Sequence, residues 1–511
     1  MNVLFVTAEA SPYLKTGGLG DVSEALPLSL ASLGMNVRIV TPHYRAFDSY
    51  IRNNAVAVRR RIPIAVMLAG EYIAAAAVET IHPSDERITV WSIECPVYFD
   101  RPGLYGESGR DYPDNAERFI FFNKACIELI RICAERGEWT PDVVHSNDWH
   151  TAVIAFYITK VYSSMRPFDR MGTVFTIHNL AYQGVFSSLD YPLLGADWAH
   201  FTDSRMEHFG NINFMKSGIA CAHAVTTVSP TYAREILSDD QGFGLAEFIR
   251  HHRKKLTGIL NGARYETWSP EKDTLIPSQY SARDLSGKIA CKKELCSQFG
   301  IPYQEGPPVI GIVSRLTMQK GLELVLAAMS DILRRTVVLV VLGVGDIKYE
   351  ASFSAWRTIR PSRVGVHLAF SDERAHLVEA GSDMFLMPSL FEPCGLNQMY
   401  SLRYGTVPIV RFTGGLADTI IDRDSDSKEA NGFTFREFTP QALLAAIDRA
   451  LAVYNDGPSW KKLMMNGMRT SFSWDDAAAQ YSKVYAQAKN AAALRKNKKR
   501  TAGKPKKNRK Q

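Results

Sequence analysis

Val3-Leu4-Phe5-Val6 and the later Lys15-Thr16-Gly17-Gly18-Leu19-Gly20-Asp21 decide the reading of this chain. The first run is apolar, as in a buried strand. The second precedes a helical pattern from Val22 to Leu33, in which Pro27 predicts a kink. Gly17, Gly18 and Gly20 let the backbone approach a ligand closely. The loop's N–H groups and the positive end of the next helix are then expected to face an anion, with Lys15 adding a mobile charge. A Gly-rich strand–loop–helix also occurs as an ordinary tight connection. A second such arrangement in the distal half of the chain gives this one its weight.

That second arrangement is Val309-Ile310-Gly311-Ile312-Val313 followed by Ser314-Arg315-Leu316-Thr317-Met318-Gln319-Lys320-Gly321. Arg315 and Lys320 leave the end of a strand together. Arg forks onto two oxygens and Lys supplies a point charge, a pair suited to a diphosphate. Two solvated surface bases are the plainer alternative. A third block, Pro388-Ser389-Leu390-Phe391-Glu392-Pro393-Cys394-Gly395-Leu396-Asn397-Gln398, follows the apolar strand Asp383–Met387. It puts a carboxylate at a strand end and is expected to open a helix at Gly395, whose N-terminus offers donors to a phosphate. Another strand, Val407–Arg411, leads to the glycine turn Thr413-Gly414-Gly415. Several such loops on the strand ends of one sheet point to a nucleoside diphosphate.

The chain has 511 residues, too many for one core, so two domains are expected. Hydrophobic content is 46% and charged content 22%, usual for a globular enzyme, and no apolar run reaches bilayer length. The N-terminus reads as a first strand and not as a secretory signal. Seven scattered cysteines, at 95, 126, 133, 221, 291, 296 and 394, fit reduced thiols in a cytoplasmic protein. The net charge of +7 belongs to the end of the chain. Arg495 to Gln511 holds ten Lys or Arg and no acid, which leaves 50 bases against 53 acids elsewhere. This tail is expected to be disordered and either simply solvated or a weak contact for polyanions.

Both halves alternate short apolar runs with helical stretches, the pattern of parallel sheets flanked by helices. The fold class is α/β, two doubly wound domains with a deep cleft between them and ligands at the carboxyl ends of the strands. The change between halves is read in the charged, proline-rich stretch Gly262 to Pro307. In the first half, His145-Ser146-Asn147-Asp148-Trp149-His150 and His178-Asn179-Leu180-Ala181-Tyr182-Gln183-Gly184 follow apolar runs. Polar and aromatic groups at those strand ends suit a sugar. Zinc on His145 and His150 lacks a third ligand at suitable spacing. The acid cluster Asp422-Arg423-Asp424-Ser425-Asp426 reads as a surface loop.

With these blocks in hand, the chain closely resembles the bacterial glycogen synthases and plant starch synthases. The motifs at 15–22, 143–150, 178–184, 314–321, 391–398 and 413–419 occur in the family's order and span residue 2 to about 485. The resemblance implies the GT-B fold: residues 1–250 as a Rossmann-like acceptor-side domain and 251–473 as a Rossmann-like nucleotide-sugar domain. It also implies a helix at 474–490 crossing back to the first domain, with the basic tail at 491–511. It further implies transfer of glucose from ADP-glucose to the non-reducing end of an α-1,4-glucan with retention of configuration, without metal or cofactor. Lys15, Arg315 and Lys320 are implied to hold the diphosphate. Gly17, Gly18, Glu392, Cys394, Gly395, Leu396, Thr413, Gly414 and Gly415 line the donor site. Asp21, Asp148, His178, Asn179 and Asn261 approach glucose or acceptor. Departures fall at Ala263-Arg264, where the family has Ile/Val-Asp, at Leu390, where it has Arg, and at Ala246-Glu247, where it often has an acid first. Two other readings stand beside this one: a phosphorylase-like retaining enzyme, and a non-catalytic glucan-binding regulator.

Overall fold

A computed structural model of the chain describes residues 1–107, 109–425 and 427–502, with side chains as far as Lys496. Two compact units divide it. The first comprises Met1–Val228, Ala233–Ile259 and the chain from Trp474 onward; the second comprises Ser229–Tyr232 and Leu260–Ser473.

The first unit is built on a nine-stranded sheet. In spatial order its strands are Leu256–Gly258, Ala224–Thr227, Gly172–Ile177, Val143–Asn147, Asn2–Val6, Asn36–Pro42, Asp85–Glu94, Glu71–His82 and Arg60–Leu68. The first seven are parallel and the last two antiparallel. The antiparallel hairpin escapes the βαβ pattern of the sequence. In Arg60–Leu68 the side chains of Ile62, Ile64, Val66 and Leu68 point inward, and alternate residues face water. Its turn, Ala69-Gly70, has φ of +50° and +88°, a left-handed pair that matches strand twist. The Gly-rich loop opens the helix at Gly18, which runs through Pro27 to Ser32. The stretch from Trp149 to Val161 changes pitch along its length: a 3₁₀ turn at Trp149–Thr151, an α turn at Val153–Phe156 and a π turn at Tyr157–Val161.

The second unit has six parallel strands: Val364–His367, Val338–Leu342, Val309–Val313, Met384–Met387, Val407–Arg411 and Phe433–Phe435. Numbered along the chain within the unit, their order is 3-2-1-4-5-6, that of a dinucleotide-binding sheet. Alternate residues bury on opposite faces. Ile310, Leu339, Met384 and Ile409 enter one core, and Val309, Val338, Phe385 and Val410 the other. This explains runs that are apolar throughout. The stretch 262–307, read above as the change between halves, instead carries a helix, Ser286–Gln298, whose Cys291, Leu295 and Cys296 are buried. The acid cluster is structural as far as it is described. Asp422 accepts from the Thr434 N–H and from Arg449, while Asp426 lies outside the described residues.

The closing helix begins at Trp474 and continues past the expected end at 490 to Ala502. Residues Ala477, Ala478, Tyr481, Val484, Tyr485, Ala488 and Ala492 recur every three to four positions and are buried on the first unit. Arg495 donates to the Thr159 carbonyl, and Lys496 Nζ lies 2.5 Å from Asp169 Oδ2. These anchors explain why the start of the basic tail is helical and not disordered. Residues 503–511 lie outside the described residues. Among the described residues, no helix is long and apolar enough to cross a membrane.

Tyr485 ties the closing helix to the sheet: its hydroxyl is 2.8 Å from His145 Nδ1, and the ring is buried. Tyr485→Ala is expected to destabilise the first unit by about 3–5 kcal/mol, the range for emptying a buried aromatic site. Calorimetric unfolding checks this; a loss below about 1 kcal/mol contradicts the docking described.

Candidate active site

In the second unit the strand order reverses between Val309–Val313 and Met384–Met387, the switch point where open α/β sheets bind ligands. Arg315 and Lys320 follow the first of these strands, and Glu392 follows the second. Lys320 Nζ is 2.6 Å from Glu392 Oε2, which also accepts from Ser389 Oγ at 3.0 Å. Arg315 is exposed, and among the described residues its guanidinium has no ion-pair or hydrogen-bond partner. The structure therefore brings Lys320 to Glu392 and leaves Arg315 apart.

The loop carrying Glu392 is held on both sides. Leu390 N donates to Gln319 O at 2.9 Å, and Arg411 donates to Leu390 O at 2.6 Å. The backbone of Leu390 is thus fixed whatever its side chain, so the departure there leaves Glu392 in place. Thr413, Gly414 and Gly415 serve the same loop. Gly414 has φ +46°, and a Cβ there would stand 1.9 Å from Glu392 O; one on Gly415 would stand 2.1 Å from Cys394 O. The Gly415 N–H already donates to Glu392 O at 3.1 Å. Only glycine lets this turn press against the acidic loop.

Cys394 is buried, and burial pushes its thiol up to about 12, so it is no nucleophile. The Asn261 N–H points at it. Gly395 is left-handed at φ +71°, and the helix expected there starts after Leu396, at Asn397. The Asn397 amide is committed to Val313 O at 2.8 Å. Among the described residues, Asn261 Oδ1, Ser314 Oγ, Thr317 Oγ1 and Gln319 Oε1 are buried without partners. A cluster of orphaned polar atoms around one switch point is what a bound polar ligand would satisfy.

In the first unit the order reverses between Asn2–Val6 and Val143–Asn147. The Gly-rich loop follows one strand and Asp148 the other. The anion in that loop is the chain's own. Glu9 Oε2 accepts from Thr16 N at 2.7 Å and Gly17 N at 3.3 Å. This corrects the expectation of free N–H groups facing a ligand. Lys15 Nζ stands 3.3 Å from Asp21 Oδ1, both partly exposed. Gly17 faces open space, since an added Cβ would meet nothing within 4 Å, and Gly18 opens the helix.

Asp148 has φ +56°, a strained conformation for a residue with a side chain. The strain aims its buried carboxyl at the next strand's end, where Oδ1 accepts from His178 N at 2.8 Å and Asn179 N at 3.4 Å. Burial raises its pKa to about 7, against the lowering effect of those two bonds. His178 Nε2 is 3.0 Å from Asn147 Oδ1. The Asn147 amide nitrogen donates to Val6 O, so Oδ1 is the acceptor and His178 Nε2 carries the proton. Burial drives His178 down to about 3, so it is neutral and offers Nδ1 as an acceptor. His145 uses both ring nitrogens, on Tyr485 and Thr176, and His150 stacks on Trp149 at 3.9 Å. Neither is arranged as a zinc ligand.

Comparison with known proteins agrees with this geometry. The starch synthase catalytic domain model matches residues 2–251, and the glycosyl transferases group 1 model matches 297–462. The glycogen synthase of Anaeromyxobacter sp. is 44% identical over 95% of this chain and 99% of its own length. Glycogen synthase 2 of Nitrosococcus oceani is 42% identical over 95% and 97%. The chain belongs to the glycogen synthase family. Among solved structures, the catalytic domain of starch synthase IV from Arabidopsis thaliana, bound to ADP and acarbose, superposes with a TM-score of 0.85 at 32% identity, covering 96% of this chain and 99% of that one. The sucrose-phosphate synthase of Thermosynechococcus elongatus, 17% identical with a TM-score of 0.58, shares the fold alone. The family's GT-B architecture of two Rossmann-like units is the one seen here.

Two residues of these strand ends were missed in the sequence. Glu9 stands directly after the first strand, in Thr7-Ala8-Glu9, where an acid before a Gly-rich loop is a readable signal. Phe370, 76% exposed, follows the strand Val364–His367 in the second unit. An aromatic ring in a strand-end loop was its signal.

Asp148 generates a pH test. Unfolded, its carboxyl titrates near 3.8; folded, near 7. Between those values the folded state holds the extra proton, so this group's stabilisation is full below about 4 and is lost as pH rises toward 7, at up to about 1.4 kcal/mol per pH unit. Asp148→Asn is expected to flatten that slope. Melting temperatures of both proteins from pH 5 to 7.5 measure it, and parallel curves contradict the buried, raised carboxyl.

Proposed function

We propose that this chain transfers glucose from ADP-glucose to the non-reducing end of an α-1,4-glucan, retaining the anomeric configuration, and does so in the cytoplasm. The observation that carries the reading is the switch-point pairing of Lys320 with Glu392, with Arg315 on the same strand-end loop as Lys320 and, among the described residues, orphaned polar atoms at Asn261, Ser314, Thr317 and Gln319. Membership in the glycogen synthase family and the starch synthase neighbour's bound ADP support the donor. That neighbour's acarbose supports a glucan-like acceptor. Seven free, buried cysteines suit a reducing compartment.

The diphosphate of the donor is held by Arg315 and Lys320; in the first unit, Lys15 meets substrate. Phe370, in the loop after a strand of the same sheet, offers an exposed ring face to the adenine. Gly395, Leu396, Cys394 and Asn261 bound the glucosyl group, and the Asn261 amide oxygen takes a hydroxyl. Thr413, Gly414 and Gly415 act by packing the Glu392 loop. In the first unit, Asp148 fixes the turn that presents His178 and Asn179. Neutral His178 accepts from a sugar hydroxyl, and Lys15 with Asp21 stands at the Gly17–Gly18 opening.

The chemistry follows from these charges. The bond from the anomeric carbon to the phosphate oxygen breaks, and electrons pass to the diphosphate. The acceptor's 4-hydroxyl oxygen bonds the same face of that carbon, and its proton goes to the leaving phosphate oxygen. Fixed cations stabilise the leaving group most in the transition state, where its charge develops. Glu392, paired to Lys320 and bonded to Ser389, orients the sugar and forms no covalent intermediate.

The test is ADP release from ADP-glucose with glycogen, repeated with UDP-glucose to fix donor choice. Arg315→Ala, an exposed site with no partner to disrupt, is expected to lower kcat by about 10²-fold or more. An effect confined to the affinity for glycogen contradicts this role. Lys320→Ala is expected to lose activity comparably and also stability, because it leaves Glu392 buried without its cation. Mass spectrometry of the trapped enzyme is expected to find no glucosyl adduct on Glu392; a stable adduct overturns the same-face mechanism.

A further inference from the structure

Glu9 is 4% exposed, yet among the described residues no lysine or arginine pairs with it. Its charge is carried instead by four donors. Oε2 takes the Thr16 and Gly17 backbone N–H groups; Oε1 takes Thr16 Oγ1 at 2.7 Å and the Tyr105 hydroxyl at 2.8 Å. Those four fill the acceptor sites of a carboxylate. Glu9 therefore occupies the donors that a Gly-rich turn would otherwise present to a phosphate.

We propose that Glu9 is a positioning residue for the transfer: it sets the Lys15–Gly20 turn and thereby the places of the Lys15 ammonium and the Asp21 carboxylate. The inference rests on the reading above, in which Lys15 and Asp21 meet substrate. Three features argue for position over chemistry. First, the carboxylate has no acceptor capacity left for a reacting hydroxyl. Second, the turn it holds is tightly packed: a Cβ on Gly20 would lie 2.4 Å from Lys15 Cβ and 3.4 Å from Glu9 Oε2. Third, Tyr105 carries the hold across the switch point. Its ring stacks on His150 at 4.5 Å, and His150 stacks on Trp149, the neighbour of Asp148. Glu9 thus links the loop after the first strand to the loop after Val143–Asn147.

Position and charge make opposite predictions for two substitutions. In Glu9→Gln the amide oxygen can replace Oε2 under the two N–H groups. The amide nitrogen then replaces Oε1 and donates to Thr16 Oγ1 and Tyr105 OH, which reverse their roles. Geometry survives and charge is lost. In Glu9→Asp the charge survives, but the side chain is one methylene short of the turn.

Steady-state kinetics with ADP-glucose and glycogen, together with hydrogen exchange at the Thr16 and Gly17 amides, decide the matter on the full chain. Glu9→Gln is expected to keep both amides protected and kcat/KM for ADP-glucose within about threefold of wild type. Glu9→Asp is expected to deprotect both amides and lower kcat/KM by about 10²-fold, the effect of a displacement near 1 Å, with KM for glycogen unchanged. The reverse ranking, or Asp and Gln equally active, overturns the proposal. If wild type itself releases no ADP, the proposed function fails, while the exchange data still show whether Glu9 holds the turn.

Discussion

Parallel strand pairing is the constraint on which the rest depends. Every parallel strand in a sheet ends at the same edge, so the loops that follow the strands gather there. Where the strand order reverses, two of those loops part and leave a crevice. Each unit has one such place. In the second it lies between Val309–Val313 and Met384–Met387, in the first between Asn2–Val6 and Val143–Asn147. The residues given chemical work follow these four strands: Arg315 and Lys320, Glu392, Lys15 and Asp21, and Asp148. Nothing in their sequence separation joins them; the sheet does.

The two units manage charge at the switch point differently. The second places a cation against an anion, Lys320 on Glu392, with an exposed Arg315 on the same strand-end loop as Lys320. The first unit closes its loop on an internal carboxylate and leaves Lys15 and Asp21 at the rim. Burial holds its deeper imidazoles, His178 and His145, neutral, far below the usual imidazole range, and raises the Asp148 carboxyl above the usual carboxyl range. A neutral, hydrogen-bonding surface suits sugar hydroxyls, and a cationic one suits a diphosphate.

Much of this was legible in the chain. The strand at Val309–Val313 was read to the residue and the one at Met384–Met387 to within one, because buried parallel strands are apolar throughout and end at punctuating glycine, serine or proline. The family's motifs named the loops that carry the site. Three things were not legible. The hairpin Arg60–Leu68 with Glu71–His82 turns on Ala69-Gly70 and not on a familiar Asn-Gly pair. The helix Ser286–Gln298 hides in a lysine-rich stretch, since its buried face mixes Cys291, Leu295 and Cys296 with Lys288 and Lys292, whose ammonium groups donate to backbone carbonyls. The closing helix continues past 490 because Ala492, Arg495 and Lys496 find partners distant in sequence.

Local order by itself determined where strands end, which loops are glycine-rich and which charged residues those loops carry. These follow from nearest-neighbour sterics and from the alternation of apolar residues. Tertiary structure alone decided that Glu9 takes the Thr16 and Gly17 N–H groups of the first glycine loop, and that Lys320 meets Glu392. It alone also decided that Asp148 takes a strained φ of +56° to reach the His178 turn. The physical reason is the same in each case. A charge or an N–H is satisfied by whatever the fold brings within about 3 Å, and sequence separation does not encode that distance.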